Sequence, residues 1–246
     1  MSLTLYHYQN SVCSQKVRLA LAEKGLAFES AHVNLMTFEN LADDYLALNP
    51  DGVVPTLVDD GTVIRESSVI IEYLDDRYPE PALKPAAAAD RAAMRLLIRL
   101  EDETGLEAVG VHTMELFIKP MMASLSEEAL DEMGKKHPKA DRAAIHDLVA
   151  RGGSIPQEVL DKATRDLTAA LDTLEQALEG RAFLAGESYS LADATWVPFL
   201  RRMELLGMAG LFAPEARPRV ANWYAACQQR PSFRDAIEWW EQNPVT

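Results

Sequence analysis

The sequence predicts a small α/β domain followed by a longer, all-helical region. Strand-like and helix-like patterns alternate up to Pro79. Three prolines then fall within residues 79–85, and closely spaced prolines favour an extended connector over a helix. Beyond them the apolar spacing is helical, without a convincing pair of strands. We therefore expect domains at residues 1–79 and 86–246, joined by a linker at residues 80–85.

The first domain begins with the pattern of a strand–helix–strand unit. Residues 3–8 alternate and are rich in strand formers, residues 14–24 have helical spacing closed by Gly25, and residues 28–35 suit a second strand. A crossover of this length normally joins parallel strands. The first two strands should therefore be parallel.

A hairpin and a helix complete the predicted domain. Two short strand patterns, residues 56–58 and 62–64, flank Asp59-Asp60-Gly61. An Asp-Gly pair accommodates the positive φ angles of a tight turn, so these strands should be antiparallel. Ser67 and Ser68 can cap the helix that follows.

The rest of the chain has the pattern of successive helices. Residues 86–119 form a long helical stretch in which Gly105 and Gly110 predict a bend, a break or close packing against another backbone. The polar segment at residues 124–156 contains glycines and prolines, which predicts two short helices in an excursion. Apolar residues then recur at helical spacing over residues 160–178, as in an amphipathic helix.

A capping motif marks the start of a later helix. In Ser190-Leu191-Ala192-Asp193 the serine oxygen can accept a backbone N–H bond while the acid accepts one in return. The helix should run to about Leu206. Two more helices are expected around residues 220–228 and 233–241, each with a proline near its start.

Composition and charge narrow the possible functions. The 246 residues include 38 acidic and 24 basic side chains, and the net charge of −14 would repel nucleic-acid phosphates. The sequence shows neither a secretory leader nor an apolar run that could span a bilayer, so we expect a cytoplasmic protein without membrane partners. Cys13 and Cys227 are far apart and the histidines lack ligand spacing, so we expect neither a disulfide framework nor a metal.

The loop between the first strand and the first helix carries the first candidate site. It places Ser11-Val12-Cys13-Ser14 at a helix start, where free backbone amides and the helix dipole favour an anion. That anion could be the thiolate of Cys13, with its pKa lowered by position. It could also be the thiolate of a bound ligand that accepts a hydrogen bond from Ser11. The alternative is purely structural: the serine is a helix cap, and Cys13 is a small, buried apolar residue.

Two further motifs suit other parts of a peptide-like ligand. Val54-Pro55 precedes the hairpin, and a cis bond at this bend would expose the Val54 N–H and C=O to an extended peptide. Glu66-Ser67 joins the last strand to the last helix, where Ser67 can hold a carboxylate and Glu66 can attract an ammonium group. A trans turn proline and a simple helix cap are the alternatives.

In order and spacing, these motifs resemble those of the glutathione transferase superfamily. The matching stretches are residues 11–21, 49–57 and 66–74, which extend across the first domain, and residues 190–194 resemble the family's capping motif. The resemblance implies an α/β thioredoxin-like domain that binds glutathione and an all-α domain with the electrophile pocket. It also implies a homodimer.

The resemblance assigns roles to particular residues. Val54-Pro55 would supply a cis peptide that pairs with the cysteinyl part of glutathione, and Glu66-Ser67 would hold the γ-glutamyl end. Asn40 stands where a related class has a polar side chain near the glycyl carboxylate. Val53 replaces the lysine or glutamine of many members, so the contact to the glycyl end is open.

The electrophile pocket should lie between the two domains. We expect it to be lined by the loop Tyr8-Gln9-Asn10 and by the helix around His112, Met114 and Phe117. Ordinary helix packing is the alternative for Met114 and Phe117. The segment at residues 124–156 either covers the pocket or is a surface insertion.

The function implied by the resemblance is that of a glutathione transferase. As in zeta and theta-type members, Ser11 would donate to the glutathione sulfur and lower its pKa, so that the thiolate attacks a small electrophile. The loop is also similar to that of tetrachlorohydroquinone reductive dehalogenase, in which a cysteine matching Cys13 resolves a glutathione conjugate. Glutathione-dependent dehalogenation, isomerisation or β-ether cleavage through Cys13 is therefore one alternative. A non-catalytic glutathione-binding module is another.

Overall fold

A computed structural model describes residues 2–122, 125–126, 128, 130, 147–149 and 151–245. It shows a four-stranded sheet with helices in the first part of the chain and a helical second part, so the predicted architecture is confirmed. The two helices expected in residues 124–156 fall largely outside the described residues. Among the helices that are described, none is long and apolar enough to cross a membrane.

The sheet has four short strands in the order β2-β1-β3-β4. The strands are β1 (Leu3–His7), β2 (Glu29–His32), β3 (Thr56–Asp59) and β4 (Thr62–Arg65). β1 pairs with β2 in parallel and with β3 antiparallel, and β3 forms a hairpin with β4. At the hairpin turn Asp60 has a φ of 46° and Gly61 a φ of 86°. The predicted strand pairings and the Asp-Gly turn are therefore confirmed.

Among the described residues of the first part, three α-helices accompany this sheet. They are α1 (Val12–Glu23), α2 (Asp43–Leu48) and α3 (Ser67–Arg77). Sequence patterns predict α1 and α3 and miss α2, because α2 has only 6 residues and begins with two aspartates. Such a short, polar-started segment lacks the repeating apolar face from which helices are recognised.

Helices make up most of the described residues of the second part. Its helices are α4 (Ala88–Leu100), α5 (Leu106–Thr113), α6 (Lys119–Met122), α7 (Gln157–Ala177), α8 (Leu191–Leu205), α9 (Pro218–Gln228), α10 (Pro231–Phe233) and α11 (Trp239–Gln242). Wider π-helical turns join consecutive helices at Glu101–Gly105, Met114–Ile118 and Arg234–Glu238. As a result, α4 to α6 form one long helical stretch, as the sequence predicts, and α10 to α11 form a second.

Gly105 lies where this long helical stretch meets α8. A Cβ atom at Gly105 would come within 3.2 Å of the Trp196 ring, and the buried Trp196 donates from Nε1 to the Leu97 carbonyl at 3.0 Å. Close packing therefore explains this glycine. Gly110 has no atom within 4 Å of its Cβ position, so packing does not explain it.

The capping box at the start of α8 is confirmed. Ser190 Oγ accepts the Ala192 N–H at 3.2 Å, and the Asp193 carboxylate accepts the Ser190 N–H at 2.8 Å. Asp193 also accepts the Leu184 N–H at 3.0 Å and the Trp223 Nε1–H at 2.8 Å. This buried carboxylate therefore joins the start of α8 to α9 and to the turn before it.

The proline-rich connector is anchored to both parts of the molecule. The Asp75 carboxylate accepts the Lys24 Nζ at 2.7 Å and the Leu83 N–H at 2.8 Å. Leu83 is buried, and its carbonyl accepts the Leu191 N–H at 3.1 Å. The proposed linker at residues 80–85 is therefore held in place on both sides.

Arg18 on α1 connects the loop after β1 to the C-terminal helices. Its buried guanidinium donates to the carbonyls of Gln9 at 2.9 Å and Ala236 at 2.8 Å, and contacts His7 Nδ1 at 3.0 Å. The Trp240 ring lies 5.0 Å from the guanidinium carbon, at a distance suited to a cation–π contact. The C-terminal helices therefore support the loop that leads to α1.

His7 must remain neutral in this arrangement. Because Arg18 can only donate, His7 Nδ1 is the acceptor, and the opposite Nε2–H donates to Ser30 Oγ at 2.8 Å. Burial, then the positive charge of Arg18, lowers the pKa of His7 to about 3. The folded protein therefore resists protonation of a histidine that the unfolded chain protonates readily.

We predict that His7 makes the fold sensitive to acid. Below the unfolded pKa of 6.5 the unfolded chain binds a proton that the folded chain excludes down to about pH 3, so stability falls with pH across that window. Between about pH 7 and pH 5.5, the free energy of unfolding should fall by about 1 kcal/mol more in the wild type than in His7→Gln. Urea denaturation of both proteins measures this difference. Equal losses in the two proteins would contradict the account.

Candidate functional site

The sheet register brings the three sequence motifs to the same end of the sheet. Thr56 at the start of β3 pairs with Tyr6 near the end of β1 and with Arg65 at the end of β4. The loop after β1, the loop before β3 and the connection after β4 are therefore neighbours. These three segments contain Ser11, Val54-Pro55 and Glu66-Ser67.

Val54 presents a backbone with unused hydrogen-bonding groups. The Val54-Pro55 peptide bond is cis, as expected. The preceding carbonyl, that of Val53, accepts bonds from the Tyr45 hydroxyl at 2.7 Å and from Asn49 Nδ2 at 2.8 Å. Among the described residues, no hydrogen bond uses the Val54 N–H or C=O. Buried backbone groups are rarely left unpaired, so this pair suits an extended peptide ligand.

The start of α3 has no side-chain cap. Ser67 is the first helical residue, and Glu66 before it has a φ of 66°. A positive φ at a residue other than glycine costs roughly 1–3 kcal/mol and is typical of functional sites. The prediction that Ser67 or Ser68 caps the helix is wrong, since the cap residue is Glu66, without a side-chain cap bond. The Ser67 N–H therefore lies in the first turn, whose amides lack helical partners.

Ser11 is both a helix cap and a possible donor. Its hydroxyl oxygen accepts the Ser14 N–H at 3.2 Å and so begins α1. A serine hydroxyl can accept and donate at the same time, so the Ser11 proton stays available. The helix cap and the thiolate-binding role, which the sequence left as alternatives, are compatible in one side chain.

Cys13 has surroundings that favour the neutral thiol. Although the residue is partly exposed, burial is the main influence and raises the pKa of its thiol to about 11, with Lys16 lowering and Glu101 raising it. The Ser67 side chain also acts on this thiol. The alternative in which the position of Cys13 lowers its pKa is therefore not supported, because burial is the largest influence and raises that pKa.

A buried ion pair lies beside Cys13. Lys16 Nζ bonds to the Glu101 carboxylate, and both side chains are fully buried. Lys16 Nζ also contacts Ser68 Oγ at 3.0 Å, and Ser68 in turn donates to Asp102 at 2.7 Å. Burial raises the pKa of Glu101, while the charge of Lys16 opposes that change. This network, which sequence patterns did not predict, fixes the start of α3 against the long helical stretch.

Asn40 supports the loop before Val54. Its Nδ2 donates to the Gly52 carbonyl at 2.8 Å, and its buried Oδ1 has no partner among the residues that the structure describes. One Nδ2 proton is thus used within the protein. A direct contact between Asn40 and the glycyl end of glutathione stays a prediction.

Three of the six residues predicted to line the pocket lie around Arg202 of α8. Arg202 donates to the Asn10 carbonyl, and its guanidinium carbon lies 5.5 Å from the Phe117 ring. Burial raises the pKa of Tyr8, while a hydrogen bond from Asn10 and the charge of Arg202 lower it. Phe117 is 37% exposed, although large apolar side chains are normally buried. These contacts place polar groups and an aromatic ring beside the loop that carries Ser11.

The other three predicted pocket residues contact different parts of the protein. Gln9 is buried, and its Oε1 accepts the Val245 N–H at 2.6 Å. The His112 ring contacts Thr164 Oγ1 at 3.1 Å on α7. Met114 packs in a small apolar cluster, which contains Leu41, Leu130, Val149 and Ile155. Because these side chains contact other parts of the protein, we omit Gln9, His112 and Met114 from the proposed pocket.

Sequence patterns missed Arg202, although one signal was present. It lies in α8, where most residues are buried and apolar, including the neighbouring Leu200 and Met203. An arginine on a buried helical face is unusual and normally has a specific partner. The interruption of that face marks Arg202 as a candidate site residue.

Comparison with known proteins identifies the family. Residues 5–82 match the N-terminal domain of glutathione S-transferases and residues 157–226 match the C-terminal domain. Protein LigF of Sphingobium sp. strain SYK-6 is 32% identical over 97% of this chain and 94% of its own length. The crystal structure of the β-etherase LigF matches with a TM-score of 0.89, covering 97% of this chain and 100% of that one. The chain belongs to the glutathione S-transferase family, and the predicted fold is confirmed.

Two other relatives are named for different reactions. A tetrachloro-p-hydroquinone reductive dehalogenase of Sphingobium chlorophenolicum is 28% identical, covering 95% of each chain. A maleylacetoacetate isomerase of Pseudomonas aeruginosa is 32% identical, again covering 95% of each chain. One fold thus supports several reactions, so the choice among them rests on the site.

Proposed function

We propose that this protein is a glutathione transferase, in which the thiolate of bound glutathione attacks a small electrophile. Glutathione would lie along Val54-Pro55, with its γ-glutamyl end at Glu66-Ser67 and its sulfur beside Ser11. One observation carries the proposal. Groups with unused hydrogen-bonding capacity on three separate segments meet at one end of the sheet, in the order of a γ-glutamyl peptide.

The γ-glutamyl end carries both a carboxylate and an ammonium group, and the proposed site offers a partner for each. The Ser67 N–H in the first turn of α3 suits the carboxylate, which the helix dipole also favours. The exposed Glu66 carboxylate suits the ammonium group. Hydrogen bonds to charged groups contribute about 1.5–3 kcal/mol each, so this end supplies much of the affinity.

The sulfur would be activated by Ser11. A thiol has a pKa of about 8.5, and a hydroxyl donor at a helix start stabilises its thiolate. The thiol proton goes to solvent. The sulfur then forms a bond to the electrophilic carbon, and the leaving group departs with the bonding electron pair.

Cys13 is a poorer candidate for the nucleophile. A thiol with a pKa of about 11 is almost fully protonated near neutral pH. Ser67, Lys16 and Glu101 act on this thiol, and Lys16 Nζ bonds to Ser68 at the start of α3, where the γ-glutamyl end is proposed to bind. We therefore place the reaction at glutathione activated by Ser11, and the dehalogenase-type role of Cys13 becomes the less favoured alternative.

The similarity to LigF favours ethers as one class of electrophile. The LigF structure aligns with 97% of this chain at a TM-score of 0.89. The structure of glutathione S-transferase III aligns at a TM-score of 0.75. In this second candidate function the thiolate displaces an aryloxide from the ether-bearing carbon. The products would be a glutathione thioether and a phenol.

The first test is the pKa of bound glutathione in Ser11→Ala. We expect the thiol pKa to lie well below about 8.5 in the wild type and to return towards that value when the hydroxyl is removed. The thiolate absorbance measured against pH gives both values. An unchanged pKa in Ser11→Ala would remove Ser11 from this role.

Two controls separate activation from helix capping. Ser11→Gly also removes the hydroxyl but costs only a few tenths of a kcal/mol as a cap, so its thiol pKa should match that of Ser11→Ala. Cys13→Ala should leave the pKa of bound glutathione at the wild-type value. A rise in Cys13→Ala equal to that in Ser11→Ala would favour the Cys13 alternative.

We also propose that the protein is a homodimer that pairs through α3 and α4. Val69 is 55% exposed and Leu96 is 67% exposed. Val69 lies on α3 and Leu96 on α4, and Arg95 on α4 bonds to Glu72 on α3 at 2.9 Å, so the two helices are adjacent. An open groove of roughly 550 Å³ runs along α4, and it is lined by Ala88, Arg91, Ala92, Arg95, Leu96 and Arg99. Exposed apolar patches of this kind mark protein–protein contacts.

Leu96→Glu should weaken this dimer because it places a charge in an apolar contact. Sedimentation velocity should show a shift from dimer to monomer at micromolar concentration. Leu205→Glu is the matched control, since Leu205 is 43% exposed on α8, and it should leave the dimer intact. A wild-type monomer, or an unaffected dimer in Leu96→Glu, would refute this interface.

A further inference from the structure

Arg202 is a buried cation whose charge the proposed glutathione site does not use. Only 8% of the residue is exposed. One N–H group donates to the Asn10 carbonyl, and the guanidinium lies over the Phe117 ring at 5.5 Å. Arginine has five N–H donors, so most of its donor capacity is left over.

The charge of Arg202 also lacks a direct counterion. In the described parts of the chain, no carboxylate lies within salt-bridge distance of it. The adjacent Arg201 differs, since it pairs with Glu204 at 3.1 Å and Glu241 at 2.7 Å. Glu241 raises the pKa of Arg202 from farther away, but burial is the larger effect and lowers it. A buried cation without a paired anion is costly, so an anionic partner would be strongly favoured.

The position of Arg202 indicates where that partner would come from. Asn10 directly precedes Ser11, so the guanidinium is fixed to the loop that would hold the glutathione sulfur. The Tyr8 side chain lies within the electrostatic reach of Arg202. With the half-exposed Phe117 ring, these groups form an aromatic surface with a positive charge next to the proposed nucleophile.

We propose that Arg202 binds the oxygen of an aryloxide leaving group in the electrophile pocket. The inference rests on the proposed function, in which thiolate attack breaks a carbon–oxygen bond. As the sulfur–carbon bond forms, the electron pair of the breaking bond stays on the aryl oxygen, and the guanidinium donates to that oxyanion. Arg202 stays protonated throughout. The phenolate takes its proton from water after release.

The test uses 4-nitrophenol, whose phenolate absorbs visible light, as a probe of this subsite. Bound to the wild-type protein, its pKa should fall by about 1 to 3 relative to free 4-nitrophenol, because a cation lies beside the oxygen. In Arg202→Gln the pKa should return to the free value or rise above it. Glutamine keeps a polar N–H donor without the positive charge, so this variant tests the contribution of the charge.

Two further variants keep the test decisive. Arg202→Lys retains the positive charge, so the pKa of bound 4-nitrophenol should stay below the free value even if Arg202→Gln folds poorly. Arg201→Gln removes the neighbouring guanidinium, whose charge is already paired, and should behave like the wild type. An equal pKa in the wild type and Arg202→Gln, or no binding of 4-nitrophenol by the wild type, would overturn the proposal.

The titration is made with and without glutathione, which separates the two claims. If glutathione binds with a lowered thiol pKa while 4-nitrophenol does not respond to Arg202, only the aryloxide subsite fails. If 4-nitrophenol responds to Arg202 but glutathione does not bind, the subsite is supported and the transferase function fails.

Discussion

The site depends on how the inner strand β3 pairs with its two neighbours, β1 and β4. Because β3 runs antiparallel to both β1 and β4, the start of β3 lies beside the ends of its two neighbours at Thr56. Three segments that are far apart in sequence thereby meet at one end of the sheet. If β3 were parallel to β1, the Val54-Pro55 loop would lie at the opposite end, and no single peptide could contact Ser11, Val54 and Ser67.

Three buried basic residues hold the segments that carry the proposed site, and each has a different kind of partner. Lys16 pairs with Glu101 and holds the start of α3. Arg18 donates to the backbone carbonyls of the site loop and the C-terminal helices. Arg202 donates to the same loop and has no paired carboxylate in the part of the chain described by the structure. The difference in partners separates structural cations from a candidate ligand-binding one.

Local patterns were sufficient to predict the strands, most helices and the three motifs. A hairpin turn such as Asp60-Gly61 and a capping box such as Ser190-Leu191-Ala192-Asp193 depend on residues close in sequence, so each is visible without the fold. The side-chain directions of Gln9 and His112 could not be predicted, because they depend on partners 236 and 52 residues away. The Lys16–Glu101 pair, 85 residues apart, was missed for the same reason.

The most direct test of the central claim compares the binding of glutathione with that of cysteinylglycine, which lacks the γ-glutamyl group. Isothermal titration calorimetry of both peptides with the wild-type protein gives the two dissociation constants. Two charge-assisted contacts at Glu66 and Ser67, each contributing about 1.5–3 kcal/mol, predict that the dipeptide binds at least about 100-fold more weakly. Equal affinities for the two peptides, or no binding of glutathione, would contradict the account.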